Sequence, residues 1–368
     1  MKVMSYLKDD GACGYYRITL PMTKLAEHTD TDVINIKVGA PIHAIVESLD
    51  CDIALLPRVC DDDAIDLIDT LHSCGKKVIL DYDDNMFNVS PFSPHYEDFG
   101  SEEIEVRDSK GNIIPLWVDG KNIDLKLNRE RLDCIRRACE KADAVSVTTP
   151  ILAKVYSEYN DNVYKLPNCV NLDLWKHLNF KRDNPDEIRL YWSGGSSHFE
   201  DLMLLQDVLP VIANKYKNTK LVLMGCNFKA ATKGFPEDRV EFHNWVPTPA
   251  YPYKTAILDA DISLIPLDDN AFSNCKSNIK WVEQSALFVP SVVSLVSPYK
   301  EAYNGANGVF VENNSVDGWI AGISHLIDNQ VDRWKIGGEA RKTVEENYDI
   351  NKEVVRWYNA YQEIVYGN

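Results

Sequence analysis

Two lysines and a glutamate stand in the segment 276–283 at the spacing of one helix face. Lys276, Lys280 and Glu283 follow one another at intervals of four and three residues, and such positions are neighbours on a helix surface. Polar residues up to Asn278 followed by apolar ones predict that a helix begins here. Cations are unfavourable at this positive end of the helix dipole unless an anion binds there. The pattern therefore predicts a site for a ligand with a phosphate end and a hydroxyl-bearing end.

A glycine loop follows the first predicted strand of the second half of the chain. It consists of Ser193, Gly194, Gly195 and Ser196, with His198 close behind. Paired glycines permit positive φ and a close backbone approach, and hydroxyl and helix N–H groups can bind phosphate. A Gly-Gly pair also occurs in purely structural turns. Its place after a strand and before a helix favours ligand binding.

A similar loop opens the first half. Gly14 and Tyr15 follow the first predicted strand, and Arg17 is expected one turn into the next helix, where it would reach a phosphate or an acceptor. The Gly-x-x-Gly spacing differs from the Gly-x-Gly-x-x-Gly fingerprint of dinucleotide-binding enzymes, which argues against a dehydrogenase.

Three carboxylates come directly after a buried strand. Asp81, Asp83 and Asp84 could hold Mg²⁺ or Mn²⁺, because hard cations prefer oxygen ligands. The alternatives are hydrogen bonds to sugar hydroxyls without metal, or a capped loop. The chain has neither a Gly-x-Ser-x-Gly elbow nor a Gly-x-x-x-x-Gly-Lys-Ser/Thr loop, which argues against serine hydrolases and P-loop kinases.

Length and composition limit the class of protein. A chain of 368 residues is expected to form two domains. The net charge of −17 argues against a surface that follows a nucleic-acid backbone. Nine cysteines without a Cys-x-x-Cys pair indicate a reducing compartment. With no apolar run long enough for a signal peptide or a membrane span, we expect a soluble cytoplasmic protein without a transmembrane segment.

Apolar runs alternate with amphipathic stretches throughout, which predicts βαβ units and parallel sheets. The strands are expected at 2–7, 32–37, 52–56, 77–81, 144–147, 163–166, 188–192, 221–224, 240–242, 262–266, 291–294 and 308–311. The helices are expected at 15–28, 41–49, 62–73, 128–141, 150–159, 199–216, 249–259, 278–287, 315–328, 331–346 and 350–365.

The domain organisation follows from this order. The first domain is expected at 1–175, braced by the C-terminal helix 350–368, and the second at 186–348, with a polar linker at 181–187. An insertion at 88–126 without a clear helix contains a predicted hairpin. It would gate the site, select an acceptor or simply decorate the surface.

The chain resembles the GT-B glycosyltransferases, most closely those of the glycosyltransferase family 4-like (group 1) type. The likeness rests on the stretches 14–17, 164–171, 191–198, 259–267 and 276–294. It implies two facing, doubly wound Rossmann-like α/β domains with parallel sheets and a cleft between them. It also implies a nucleotide-sugar donor held mainly by the second domain.

The resemblance also implies roles for individual residues. Glu283 looks like the glutamate that binds the nucleotide ribose, while Asn244 and Trp245 lie in the loop that flanks the base. Lys276 and Lys280 would face the diphosphate beside Ser193 and Ser196, with Asn278 near them.

Two positions depart from the family. Cys275 stands where the family usually has the first of two glutamates, and Ser197 and His198 stand where an arginine and a lysine are common.

The function expected on this basis is transfer of a glycosyl unit from a UDP- or GDP-sugar to a glycan, lipid-linked or other hydroxyl acceptor. Retention of configuration follows by analogy with the family, and no cofactor is required. Lys276, Lys280 and Arg17 would stabilise the departing diphosphate. Three alternatives remain: a metal-dependent GT-A-like transferase using Asp81 and Asp83, a DNA-base glycosyltransferase, and a non-catalytic nucleotide-sugar-binding protein.

Overall fold

The computed structural model describes residues 1–37, 50–108, 110–178 and 186–367. The predicted helix at 41–49 and most of the predicted linker lie outside the described residues. The chain divides into two compact units. The first comprises Met1–Pro167, Cys275–Ser277 and Asn351–Asn368, and the second comprises Asn168–Asn274 and Asn278–Ile350.

The first unit is built on a six-stranded parallel sheet. Its strands are β1 (Lys2–Tyr6), β2 (Asp32–Ile36), β3 (Ile53–Pro57), β4 (Lys77–Tyr82), β7 (Ala144–Val147) and β8 (Val163–Lys165). Their order in the sheet is β2-β1-β3-β4-β7-β8. Every residue of β3 and β7 is buried, because helices cover both faces of such a sheet. The prediction of a doubly wound parallel sheet is confirmed.

The helices of this unit include one irregular segment. Ala12–Gly14 and Leu20–His28 are joined by a π-helical stretch, Tyr15–Thr19, which carries Arg17. The remaining helices are Asp62–Ser73, Tyr96–Phe99, Leu125–Lys141, Pro150–Tyr156 and Ile350–Tyr366. The predicted helix at 62–73 is therefore exact, with Asp61 as its N-cap.

The insertion contains the predicted hairpin. Strands β5 (Ile104–Arg107) and β6 (Ile113–Trp117) pair antiparallel, and the Asp108 carboxylate accepts the N–H groups of Lys110 and Asn112 in the turn, each at 2.8 Å. The short helix Tyr96–Phe99 was not expected, since four residues are too few for a recognisable helical period.

The second unit repeats the architecture with a second six-stranded sheet. Its strands are β9 (Ile188–Gly194), β10 (Thr219–Gly225), β11 (Val240–His243), β12 (Ile262–Ile265), β13 (Ser291–Ser294) and β14 (Val309–Val311). They are all parallel, in the order β11-β10-β9-β12-β13-β14. Its helices are Phe199–Met203, Val208–Lys215, Tyr251–Ile257, Ile279–Ala286, Ser297–Lys300, Val316–Asp328 and Gln330–Asn347.

The single helix predicted at 199–216 is wrong in one respect. It is interrupted, and the second piece begins at Val208. Pro210 lacks an N–H and is accepted only in the first turn of a helix, so the helix restarts just before it. In the part of the chain that the structure describes, no helix combines the length and apolarity needed to cross a membrane.

Candidate functional site

The loops that leave the second sheet at the carboxyl ends of its strands gather most of the predicted donor-binding residues. In doubly wound sheets ligands bind at this edge. Gly194 ends β9, and a Cβ there would lie 2.5 Å from the Trp192 ring, so no larger residue fits. Gly195 faces open space. Neither glycine has a positive φ. The freedom to adopt positive φ is therefore not used here, and close packing at Gly194 is what requires glycine.

His198 is held by a buried carboxylate that the sequence analysis did not single out. Its Nδ1 lies 2.6 Å from Asp201 Oδ2, and Asp201 is only 3% exposed. The other oxygen, Oδ1, accepts the backbone N–H of Asp268 at 2.8 Å. Burial alone would raise the pKa of Asp201, but His198 and the charge of Lys280 outweigh it and lower the pKa. The carboxylate is therefore ionised.

Lys280 lies in the first turn of the helix Ile279–Ala286, as predicted. Its ammonium group stands 5.6 Å from the centre of the Trp192 ring, a cation–π contact. Lys280 thus joins Trp192 and Asp201 at one edge of the sheet.

Lys276 does not share this face. The helix begins at Ile279 with Asn278 as its N-cap, so Lys276 precedes it. Its Nζ lies 3.4 Å from Asp84 Oδ1 within the first unit. The prediction that Lys276, Lys280 and Glu283 share one helix face is wrong, because the turn Ser273–Cys275 does not continue into the helix. Asn278 itself donates to the Tyr348 hydroxyl at 2.7 Å.

Glu283 is buried, with 5% of its surface exposed. Its Oε2 accepts a hydrogen bond from the Tyr251 hydroxyl at 3.1 Å, and that hydroxyl lies 3.4 Å from Ser193 Oγ. Burial and the nearby charge of Glu283 raise the pKa of Tyr251 well above its usual range. Burial also raises the pKa of Tyr191 to about 12. Both phenols are therefore neutral donors near the Glu283 carboxylate.

An aromatic surface lies next to this network. Trp245 is 48% exposed, and its ring centre is 5.6 Å from that of Tyr251. Gly225, with φ of 104°, leaves room for it, since a Cβ there would lie 2.6 Å from the indole. Asn244 is exposed beside Trp245, and Ser196 is exposed in the glycine loop. A large aromatic side chain half open to solvent can stack on a flat ring.

In the first unit, the predicted site residues Arg17 and Asp81 are buried and paired with each other. Arg17 and Asp81 form a buried bidentate pair, with Nε–Oδ1 and Nη2–Oδ2 distances of 2.9 and 2.7 Å, and each side chain is at most 4% exposed. Arg17 also donates to the Leu166 carbonyl. The expectation that Arg17 reaches out to a phosphate is wrong, because its guanidinium is bound to Asp81 inside the unit.

Asp83 is paired in the same way. Arg58 Nε donates to Asp83 Oδ1 and Arg58 Nη2 donates to Asp83 Oδ2, each over 2.8 Å. Burial would raise the pKa of Asp83, but the charge of Arg58 outweighs it and lowers the pKa. Arginine forks thus occupy both oxygens of Asp81 and of Asp83, and among the described residues no cluster of metal-ligating side chains is present. This arrangement does not fit the Mg²⁺ or Mn²⁺ alternative.

The first glycine loop is filled by its own chain. Asp9 Oδ1 accepts the N–H groups of Gly11 and Gly14 at 2.8 and 3.2 Å. A Cβ at Gly14 would lie 1.9 Å from the Asp9 carbonyl oxygen, which explains the glycine. Tyr15 packs edge-on against Tyr16. A carboxylate therefore occupies the position where the sequence suggested an anionic ligand.

Cys275 is part of the hydrophobic core of the first unit and is 1% exposed. Its thiol accepts from Asn85 Nδ2 at 3.6 Å, and its carbonyl oxygen accepts from Thr149 Oγ1 at 3.0 Å. Burial raises the pKa of this thiol to about 11. Cys275, which stands where the family usually has a glutamate, is thus a packed core residue.

Sequence reasoning missed Asp201, Tyr251 and Arg58. Asp201 follows His198 by three residues, the spacing of neighbours on a helix, and that signal was available. Tyr251 and Arg58 act through contacts with residues 32 and 25 positions away, and the sequence gives no sign of such contacts.

The second unit thus has a glycine loop, a lysine at a helix start and a buried carboxylate at the carboxyl edge of a parallel sheet, groups that can bind a phosphorylated ligand. Residues 189–329 match the family model described as Glycosyl transferases group 1. This match covers most of the second unit, which is therefore similar to group 1 glycosyltransferases. No curated protein matches the chain.

Several solved structures are similar to the chain in fold. Sucrose-phosphate synthase from Thermosynechococcus elongatus is 13% identical, with a TM-score of 0.68 and full coverage of both chains. Anabaena HepE, solved in complex with UDP, is 11% identical with a TM-score of 0.65, covering 99% of this chain and 100% of HepE.

An S. aureus TarM mutant, solved with Fondaparinux, alpha-GlcNAc-glycerol and UDP, is 15% identical with a TM-score of 0.57. This likeness covers 84% of the chain but only 55% of TarM. At these identities the structures establish the GT-B fold, which is not that of the GT-A-like alternative.

Proposed function

We propose that the chain is a glycosyltransferase that uses a UDP-sugar as donor and transfers its sugar to a hydroxyl group of a glycan or lipid-linked acceptor. The observation that carries the proposal is the arrangement at the carboxyl edge of the second sheet. Trp245, the Tyr251–Glu283 pair and Lys280 there offer an aromatic surface, a hydroxyl-binding carboxylate and a cation. A nucleoside diphosphate has a base, a ribose and two phosphates to match them.

Each group has a physical task in this proposal. Trp245 stacks on the base, since about half of its surface is exposed. Glu283 accepts hydrogen bonds from ribose hydroxyls, as a carboxylate does. Lys280 and the backbone N–H groups of the glycine loop bind the phosphates. Arg17 and Lys276 have no part, because each is paired with a carboxylate of the first unit.

The reaction follows from these roles. The bond between the anomeric carbon and the β-phosphate oxygen breaks, and its electron pair passes to the phosphate. Lys280 stabilises the charge that develops there. The acceptor oxygen then bonds to the anomeric carbon, and its proton passes to the oxygen of the departing phosphate. Retention of configuration is proposed by resemblance to the family. The choice of uridine draws support from HepE, which was solved with UDP and with UDP-glucose.

Isothermal titration calorimetry with UDP, GDP, ADP and CDP tests the donor. We expect UDP to bind most tightly. Lys280→Ala should weaken UDP binding by about tenfold or more, because a charge-assisted contact contributes about 1.5–3 kcal/mol. Lys342→Ala, an exposed lysine of the same unit, is the matched control.

Failure of all four nucleotides to bind would contradict the proposal. Tighter binding of GDP than of UDP would show that the donor is a GDP-sugar and not a UDP-sugar. Release of UDP from UDP-sugars, followed with and without glycan acceptors, separates a transferase from a non-catalytic binding protein. A binding protein would release none.

A further inference from the structure

The buried carboxylate of Asp201 lies behind His198, away from every role assigned so far. It receives a hydrogen bond on each oxygen, one from His198 Nδ1 at 2.6 Å and one from the Asp268 N–H at 2.8 Å. Because the side chain is 3% exposed, water does not compete for these contacts. Two anchors and close burial fix its orientation.

The contact with Asp201 determines which ring nitrogen of His198 carries a hydrogen. An ionised carboxylate only accepts hydrogen bonds, so Nδ1 of His198 must carry a hydrogen. The second ring nitrogen, Nε2, takes no part in the contact with Asp201. Such an outer partner fixes the tautomer of an imidazole that works at a ligand. His198 belongs to the glycine loop, because a Cβ added at Gly194 would lie 3.2 Å from the Cβ of His198.

Asp201 and an arriving anion both favour a proton on the ring, while the charge of Lys280 opposes it. Lys280, from the helix Ile279–Ala286, and Tyr299, from the helix Ser297–Lys300, both interact with Asp201. Burial, followed by the charges of Asp201 and Glu283, raises the pKa of Tyr299, so it stays neutral. Asp201 then offsets one of the two cations, and a diphosphate meets a net positive charge.

We propose that Asp201 is a positioning residue that fixes His198 with a proton on Nδ1 and stabilises its imidazolium form when the donor's diphosphate binds. His198 then donates from Nε2 to a phosphate oxygen beside Lys280. Donor binding takes up a proton from solution under this scheme. The inference rests on the proposed function for its ligand, but the tautomer of His198 does not depend on any nucleotide.

Asp201→Asn is the discriminating variant. The Asn oxygen can still accept the Asp268 N–H, while its NH₂ group must donate to His198 Nδ1 and so moves the ring proton to Nε2. NMR of protein labelled with ¹⁵N at its eight histidines, assigned with His198→Gln, should show the Nδ1–H tautomer in the wild type. It should show the Nε2–H tautomer in Asp201→Asn.

Calorimetry of UDP binding in buffers of different ionisation enthalpy gives the second readout. The wild type should take up a fraction of a proton near neutral pH, and its affinity should fall as pH rises. Asp201→Asn and His198→Gln should each take up none and bind about tenfold more weakly, as expected for loss of one charge-assisted contact. The double variant should be no weaker than either single variant.

Each outcome decides something. An Nε2–H tautomer in the wild-type protein overturns the inference even if UDP binds well. Wild-type proton uptake in His198→Gln overturns it as well, and this holds if Asp201→Asn fails to fold. If the wild type binds no nucleotide while the tautomers are as expected, the proposed function fails. The role toward the diphosphate then fails with it, and only the positioning of His198 stands.

Discussion

The hydroxyl of Tyr251 donates a hydrogen bond to Glu283 Oε2 over 3.1 Å, with both side chains buried in the second unit. This contact joins the start of one helix to the carboxylate of another. It fixes the position of the only carboxylate that the family resemblance assigns to the nucleotide. The ribose contact proposed for Glu283 therefore depends on a tyrosine that no motif included.

Tyr251→Phe should weaken UDP binding severalfold and lower the free energy of unfolding by about 1–3 kcal/mol, the cost of leaving a buried acceptor without its donor. Titration calorimetry and urea denaturation measure the two effects. Tyr253→Phe is the matched control, because Tyr253 lies on the same helix and is 62% exposed. Equal behaviour of the two variants would contradict the importance of the Tyr251–Glu283 contact.

Trp245→Ala should reduce UDP affinity with little effect on stability. Stacking of a base on an aromatic side chain contributes about 1–3 kcal/mol, and the indole is already 48% exposed. Binding of pyrophosphate, which has no base, should be unchanged. Trp334→Ala, at a tryptophan that is 68% exposed, controls for loss of surface indole. Retention of full UDP affinity by Trp245→Ala would place the base elsewhere.

Asp81→Asn should destabilise the protein rather than alter its chemistry selectively. Removing one partner of a buried ion pair costs about 3–5 kcal/mol, because the remaining charge is left uncompensated. Asp62→Asn removes the exposed partner of Arg137 and should cost less than about 1 kcal/mol. Denaturation curves compare the two.

The double variant Arg17→Met with Asp81→Leu should recover much of the stability, since no charge is then buried. An Asp81→Asn protein with unchanged stability and no transferase activity would instead support a direct catalytic role for this carboxylate.

Glu241 gives the second unit a measurable acid sensitivity. Burial would raise its pKa, but contacts with Arg189 and His243 lower it from 4.5 to about 2. A lowered pKa stabilises the fold above the unfolded value of 4.5, and this stabilisation is lost as pH falls toward about 2. The difference in unfolding free energy between wild type and Glu241→Gln should be constant above about pH 5.5 and shrink below pH 4.5.

Urea denaturation at a series of pH values measures this difference, with Glu237→Gln, an exposed position nearby, as the control. A gap between wild type and Glu241→Gln that stays constant down to about pH 2.5 would contradict the assigned cause.

The alternation of apolar and amphipathic segments determined the two parallel sheets, because a strand buried on both faces needs a continuous apolar run. The same local signals placed Lys280 and Glu283 on one helix and His198 in a glycine loop. Local sequence patterns do not show whether a charged side chain binds a ligand or pairs with another side chain of the protein. Arg17, Asp81 and Asp83 have the residue types of a binding site, and only the tertiary structure pairs them with each other and with Arg58.

The segment around Lys276 shows the same division. The sequence determined that a helix begins near Asn278, since helix starts depend on neighbouring residues. Whether Lys276 joined that helix depended on long-range contacts, namely Cys275 in the core of the first unit and Asp84 beside Lys276. The contact of Tyr251 with Glu283 likewise became visible only once distant strands had brought their loops to one sheet edge, whereas the three-residue spacing of Asp201 from His198 is a local signal. The sequence by itself determined the fold, because strands and helices depend on local pattern, and the family resemblance suggested the class of chemistry. The tertiary structure decided which charges are already neutralised by a neighbour, because that depends on distances between residues far apart in the chain.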